Sequence, residues 1–256
     1  MADKLPLLIS VPHGGTTIPE ELSDRHSLSP GDILDDIDPF TLSVYDFGSA
    51  VEEQLAADIA RPFIDLNRSA DQLPPAFPDG VIKSETCQKV PVYRPGSEPD
   101  PVLIRNLLAR YHEPYHAELS RLLRQDSILM MIDCHSMSEY PPPIAADRSV
   151  RRPLVNLGDL DGHSCPAEIT VLLAEAFVKC FEITRTDVLI NLPFKGGYIT
   201  RNHGNGAKPV IQVELNRVLY LDPAHPRRMD SARVSDVCAR MKSTLRLFHQ
   251  IWRGEG

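Results

Sequence analysis

The sequence predicts a single α/β domain over residues 1–256, built on a mostly parallel sheet. Short apolar runs alternate along the chain with amphipathic stretches at helical spacing. Several of those runs end in polar residues, as strands do in open α/β sheets that bind ligands beyond their carboxyl ends. The chain is long enough, and at 42% hydrophobic and 24% charged ordinary enough, to bury a large core without disulfide staples.

The first apolar run, Leu5–Val11, is bounded by prolines and followed by His-Gly-Gly, which reads as a buried strand ending in a tight loop. Asp46–Ile59 carries Phe47, Val51, Leu55 and Ile59 at four-residue spacing and is predicted helical. Arg61–Leu66 reads as a second strand with Asn67-Arg68 at its end. Ser69–Pro101, rich in Pro, Asp, Gly and Ser, is a long loop over a site rather than a linker. Val102–Arg124 is a long amphipathic helix that Pro114 should kink. Ile128–Ile132 is a central strand delivering Asp133-Cys134-His135-Ser136 at its carboxyl end.

After a proline-rich loop, Glu139–Pro153, come a short strand at Val155–Leu157 and a polar loop to Cys165. Pro166–Phe181 is a helix with proline suited to its first turn. Val188–Leu192 is a strand, and the segment with Lys195-Gly196-Gly197-Tyr198 and Arg201-Asn202-His203-Gly204 is a glycine-rich loop. Val210–Leu215 alternates as a strand, and Ala232–Trp252 closes the chain as an amphipathic helix.

The net charge of −8, from 35 acidic and 27 basic residues, argues against nucleic acid or an anionic membrane as the main partner. A small anionic substrate stays compatible, since a few arginines in one pocket suffice. No apolar run approaches spanning length. Five cysteines and no secretory pattern point to reduced thiols and a cytoplasmic location. The oligomeric state is not readable.

Four polar clusters sit at strand ends: His13-Gly14-Gly15, Asn67-Arg68, Asp133-x-His135 and Glu214. His13 and His135 are candidate ligands for a divalent metal, most plausibly zinc, which in catalytic sites takes three protein ligands. Asp133, two residues before His135 on an extended backbone, points the same way and can accept from an imidazole. A third ligand could come from Asp35, Asp36 or Asp38, or from Asp46, although aspartates also flank helices for structural reasons. Glu214 stands in an otherwise apolar strand. There it is either a general base beside a metal or a solvent-facing residue paired with Gln212. Arg68 and Arg201 are candidate carboxylate anchors, whereas Arg61 and Arg94 read as surface ion pairs. Tyr111-His112 and Tyr115-His116 read as packing, with His116 a lesser metal candidate. Cys134 and His135, adjacent on a strand, point to opposite faces and make a poor nucleophile–base dyad.

Taken in order, these stretches resemble the N-formylglutamate amidohydrolase family, a branch of the zinc carboxypeptidase-like hydrolases that includes aspartoacylase. The matching residues are Ser10-Val-Pro-His13-Gly-Gly with Ile18-Pro19, Asp65-Leu-Asn67-Arg68, Asp133-Cys-His135-Ser136, Gly158-Asp-Leu-Asp161-Gly, Lys195-Gly-Gly-Tyr198-Ile-Thr-Arg201 and Gln212-Val-Glu214-Leu-Asn216. The resemblance implies a phosphorylase/hydrolase-like three-layer α/β/α sandwich with a mixed rather than all-parallel sheet. It implies one zinc ion on His13, Asp38 and His135, Glu214 as general acid/base, and Asn67, Arg68 and Arg201 as substrate contacts. The implied reaction is hydrolysis of an N-acyl amino acid, N-formyl-L-glutamate first, with a related deacylase or a non-catalytic anion binder as alternatives. One stretch departs: the family's Asp-x-Asp-Trp-His-Val-Asp reads Asp36-Ile-Asp38-Pro-Phe40-Thr-Leu42 here, so substrate choice could differ if those positions touch substrate.

Overall fold

The computed structural model describes residues 4–145 and 150–254. Six strands form one mixed sheet in the order β2-β1-β3-β6-β4-β5. These are β1 (Leu5–Val11), β2 (Val51–Ala56), β3 (Met130–Met137), β4 (Val155–Gly158), β5 (Val188–Ile190) and β6 (Val210–Asn216). The first four in spatial order are parallel, β4 runs antiparallel to β6, and β5 is parallel to β4. The mixed sheet implied by the family resemblance is therefore present, and the purely pattern-based expectation of a parallel sheet is corrected at β4 and β5.

Helices cover both faces. One face packs on α2 (Thr41–Val44), α5 (Ala167–Phe181) and α7 (Ser231–Trp252), with Leu7, Ile9, Ile132, Cys134, Ile211 and Val213 supplying the sheet's side of that core. The other face packs on α3 (Pro101–Leu107) and α4 (Glu113–Leu123), joined by a π-helical turn at Leu108–His112. That turn directly precedes Pro114 and absorbs the backbone bond proline cannot make, so the expected kink is realised as a π segment. On this second face each central strand begins apolar and ends polar. Leu8, Met131 and Val210 lie in the core, while Ser10, Asp133, His135, Gln212 and Glu214 are buried farther along. β3 and β6 run in register, so Asp133 lies beside Gln212 and His135 beside Glu214.

Three expectations fail. Asp46–Ile59 is not a helix: a short 3₁₀ turn leads into β2, which pairs with β1 at the sheet edge. Apolar residues four apart satisfy a period of two as well as one of 3.6, and the available edge of β1 decides between them. Arg61–Leu66 is no strand. It is a series of turns whose Phe63, Ile64 and Leu66 are buried by packing under the sheet's second face. The glycine-rich loop contains a short helix, α6 (Tyr198–His203), started by Gly197. In addition, Pro166 is the extended N-cap of α5 rather than a residue of its first turn. The remaining elements are α1 (Pro30–Asp36), capped by a Ser29–Asp32 box, and a hairpin of β7 (Leu221–Asp222) and β8 (His225–Met229). Among the described residues no helix is long and apolar enough to cross a membrane.

Candidate active site

The polar ends of β1, β3 and β6 open into a cleft of 420 Å³. Its centre is built from His13, just past β1, His135 in β3, and Asp38, just past α1. His135 Nδ1 lies 3.2 Å from His13 Nδ1 and 3.2 Å from Asp38 Oδ2. His13 Nδ1 is 3.6 Å from the same oxygen. All three residues are buried, and they are the one group of potential metal donors that converges among the described residues.

The outer edges of both rings are held by carboxylates. His13 Nε2 is 2.8 Å from Asp65 Oδ1, and His135 Nε2 is 2.9 Å from Asp133 Oδ2. Each carboxylate thus anchors its ring through Nε2 and turns Nδ1 toward the centre, the arrangement that orients metal-binding histidines. Asp38 is positioned in turn by the Ser136 N–H at 3.1 Å on Oδ2 and by Arg217 Nη2 at 3.1 Å on Oδ1. Burial opposes its ionisation, but hydrogen bonds from His13 and His135 and the charge of Arg217 hold its carboxyl well below the ordinary value. Two imidazole nitrogens and one carboxylate oxygen, converging and secured from behind, are a donor set suited to zinc. Of the acidic alternatives, Asp35 pairs with Arg227, Asp36 turns to Lys83 and the Cys87 N–H, and Asp46 is exposed outside the cleft.

Glu214 lines the cleft beside His135 and is buried, so the solvent-facing reading of its strand is excluded. Burial, with Asp38 adding to it, pushes its carboxyl up to about 7 against the pull of His135 and His13. Gln212 is its orienting neighbour: Nε2 donates to Glu214 Oε1 at 2.9 Å, and Oε1 accepts from Gly197 N–H at 2.7 Å.

The arginines differ from one another. Arg68 lines the cleft, but its Nε donates to the Asp79 carbonyl at 3.0 Å and its Nη2 to Asp79 Oδ2 at 2.7 Å. Asn67 is buried, with Oδ1 accepting from Ile199 N–H at 2.8 Å and Nδ2 3.3 Å from His135 Nε2. It lines the cleft while bracing His135 and the start of α6. Arg201, on α6, reaches the cleft and an adjoining shallow hollow, and its Nη1 donates to the Gly196 carbonyl at 3.5 Å. Arg61 is not a surface ion pair: it lines the cleft and donates to Asp65 Oδ2 at 3.0 Å. Sequence reasoning missed Asp65 as a partner of His13, Arg217 as a partner of Asp38, and Lys83. Lys83 is wholly buried among Asp36, Asp79 and Asp65. The one available signal was a lysine flanked by apolar Val81 and Ile82.

His112, His116 and His203 form a separate stack against Tyr198. His203 Nε2 and His116 Nδ1 are 3.0 Å apart, and His116 Nε2 donates to the Leu66 carbonyl at 3.0 Å. Burial and the two neighbouring histidines push His116 down to about 3, so this group packs as neutral rings. Cys134 faces the opposite core from His135, as its place in the strand requires.

A sequence model for N-formylglutamate amidohydrolase matches residues 5–221. The chain belongs to the N-formylglutamate amidohydrolase family. It is 31% identical over 232 residues to an N-formylglutamate deformylase of Pseudomonas putida, covering 87% of this chain and 84% of the relative. The corresponding Pseudomonas aeruginosa protein is 32% identical over 233 residues, covering 87% and 85%. The fold is that of a crystal structure of N-formylglutamate amidohydrolase from Ralstonia eutropha, with a TM-score of 0.79, 23% identity, and 99% and 96% of the two chains covered. A structure from Agrobacterium tumefaciens aligns with a TM-score of 0.67 at 16% identity over 100% and 92%. The departures noted in sequence lie away from the cleft: Phe40 and Leu42 pack against the main core, and neither lines the site.

Proposed function

We propose that the protein is a zinc-dependent amidohydrolase that cleaves N-formyl-L-glutamate to formate and glutamate. The observation that carries this is the convergence of His13, Asp38 and His135 within 3.2–3.6 Å, with the buried, cleft-lining Glu214 at its side. The relatives named N-formylglutamate deformylase support the substrate. So does the placement of Phe40 and Leu42, because these two altered side chains pack on the core and do not line the cleft.

His13, Asp38 and His135 would hold the metal, which supplies Lewis acidity toward the amide carbonyl and makes a nearby water more acidic. Glu214 accepts the proton of the attacking water and delivers it to the leaving amide nitrogen. A carboxyl balanced near neutral pH can serve in both directions. Gln212 keeps one oxygen of Glu214 occupied, which leaves the other to the water. Arg201 receives a substrate carboxylate at the glycine-rich end of the cleft. Arg68, already neutralised by Asp79, contributes its remaining donors to the same wall. Binding by groups remote from the scissile bond orients that bond toward Glu214.

The test is metal analysis of the purified protein, followed by a hydrolysis assay on N-formyl-L-glutamate with and without chelator. One equivalent of zinc and chelator-sensitive formate release are expected. A metal-free protein that binds the substrate without turnover would make it an anion binder.

A further inference from the structure

A second groove of 950 Å³ adjoins the active-site cleft, between α1 and the β7–β8 hairpin. The two share Asp35, Gln88, Ser138 and Arg217. Arg217 is the residue that touches Asp38, so the groove opens one side chain away from the convergent donors. The shared rim is polar; beyond it Leu34, Pro39, Val218, Leu221, Pro223 and Ala224 supply apolar wall, alongside the charged Glu139, Asp222, Arg227 and Arg228.

Both ends of the cleft carry cations, but Arg217 at the groove end is already paired with Asp38. Arg201, Lys195 and the Gly196-Gly197 backbone lie at one end, and the shallow hollow that continues from there shares Arg201 but none of the groove's residues. Amino-acid carboxylates belong at that cationic end. With the scissile carbonyl at the donors and Glu214, the acyl substituent leaves the carbonyl carbon on the other side, toward Arg217 and the groove. A formyl group carries only hydrogen there and leaves the groove unused.

We propose that the groove is an acyl-chain subsite, and that the protein also hydrolyses N-alkanoyl glutamates with medium-length chains. This rests on the amidohydrolase reading above. Water adds to the acyl carbon, the C–N bond breaks, the nitrogen takes the proton, and the products are the alkanoate and glutamate. Burial of each methylene along an apolar wall is worth up to about fourfold in affinity. Several methylenes partly buried should therefore raise kcat/KM by at least about tenfold between the acetyl and octanoyl substrates.

The experiment assays zinc-loaded protein on N-formyl-, N-acetyl-, N-butanoyl-, N-hexanoyl- and N-octanoyl-L-glutamate. It is repeated with Ala224→Trp and Val218→Trp, which fill the groove. Ala224 is exposed on the hairpin, so its replacement leaves the core untouched. The expected result is a rise along the alkanoyl series, a fall of about tenfold in the octanoyl-to-acetyl ratio in both variants, and tighter inhibition by octanoate than by acetate. Hydrolysis of the formyl substrate with a flat or falling alkanoyl series overturns the subsite and leaves the amidohydrolase reading standing. Alkanoyl hydrolysis without formyl hydrolysis does the reverse for the formyl assignment. No hydrolysis of any member overturns both.

Discussion

Lys83→Met probes the charge network behind the site. Lys83 Nζ lies 2.9 Å from Asp36 Oδ2, 2.5 Å from Asp79 Oδ1 and 3.8 Å from Asp65 Oδ2, and both Lys83 and Asp36 are wholly buried. Burial and the nearby Arg61 work against its charge, yet the three carboxylates outweigh them and raise its pKa. Methionine fills similar volume but strands Asp36, left with the Cys87 N–H while Asp79 keeps Arg68, and removal of one partner from a buried pair costs about 3–5 kcal/mol. The mutant has one escape, which sets a ceiling: it can protonate an aspartate. At pH 7.5 that costs about 5 kcal/mol from an ordinary carboxyl, and at pH 5 about 1.5 kcal/mol. The mutant's folded state therefore binds the extra proton, and its deficit shrinks as pH falls. Urea unfolding of both proteins should show a loss of about 3–5 kcal/mol at pH 7.5 that narrows by at least about 1.5 kcal/mol at pH 5. Arg121→Ala, which breaks an exposed pair with Glu118, should leave stability essentially unchanged at either pH. A Lys83→Met deficit below about 1 kcal/mol, or one indifferent to pH, would refute the idea that these charges depend on one another.

His13→Ala and His135→Ala should each lose zinc with the fold intact by circular dichroism, and Asp38→Asn should bind it more weakly; full occupancy in any variant removes that residue from the donor set. Glu214→Gln should keep metal and substrate affinity while turnover falls by ~10²–10⁴. Because the base form is needed and its pKa stands at about 7, wild-type kcat/KM should fall toward tenfold per pH unit below that point. Arg201→Ala should raise KM about tenfold or more, and Arg68→Lys should raise it less, since Asp79 already occupies part of that guanidinium. His116→Gln tests the neutral histidine stack. The wild-type ring, at about 3 when folded, resists protonation that the unfolded chain accepts below about 6.5. Wild type then loses about 2 kcal/mol between pH 7.5 and 5 that the variant does not, so the stability gap between them should narrow by that amount in denaturant titrations.

The parts of the site that were legible in sequence lie on single strands. Asp133-x-His135 can be read because alternate residues on a strand share a face, and in the structure Asp133 lies 2.9 Å from His135. Glu214 stands out because a carboxylate among valines and leucines needs a reason. The unreadable parts are contacts between segments far apart in the chain. Asp65 meets His13 across 52 residues, and Arg217 meets Asp38 across 179. No local pattern encodes such a pair. The fold shows the same division. β3 and β6 are buried on both faces and read as apolar runs, whereas β2 is an edge strand whose spacing also suits a helix. Arg61–Leu66 is apolar because a loop packs beneath the sheet, and burial without pairing looks the same in sequence as a strand.

The reversal of β4 explains how one polar face becomes a closed site. An all-parallel sheet would send every strand end to the same rim and leave the far wall of the cleft unsupported. Because β4 runs against β6, its last residue, Gly158, comes back toward the glycine-rich segment, and a Cβ there would stand 2.8 Å from the Lys195 backbone. That close approach seats the segment, and Gly197 next in line lies so near Asn67 that a Cβ would fall 2.1 Å from its amide. Asn67 in turn lies against His135 and takes the Ile199 N–H. The glycines at 158 and 197 are therefore spacers along one line of contact, from the antiparallel strand through the loop to the β3 histidine. The position of Arg201 at the cleft's cationic end follows from them, because α6 starts where Gly197 ends.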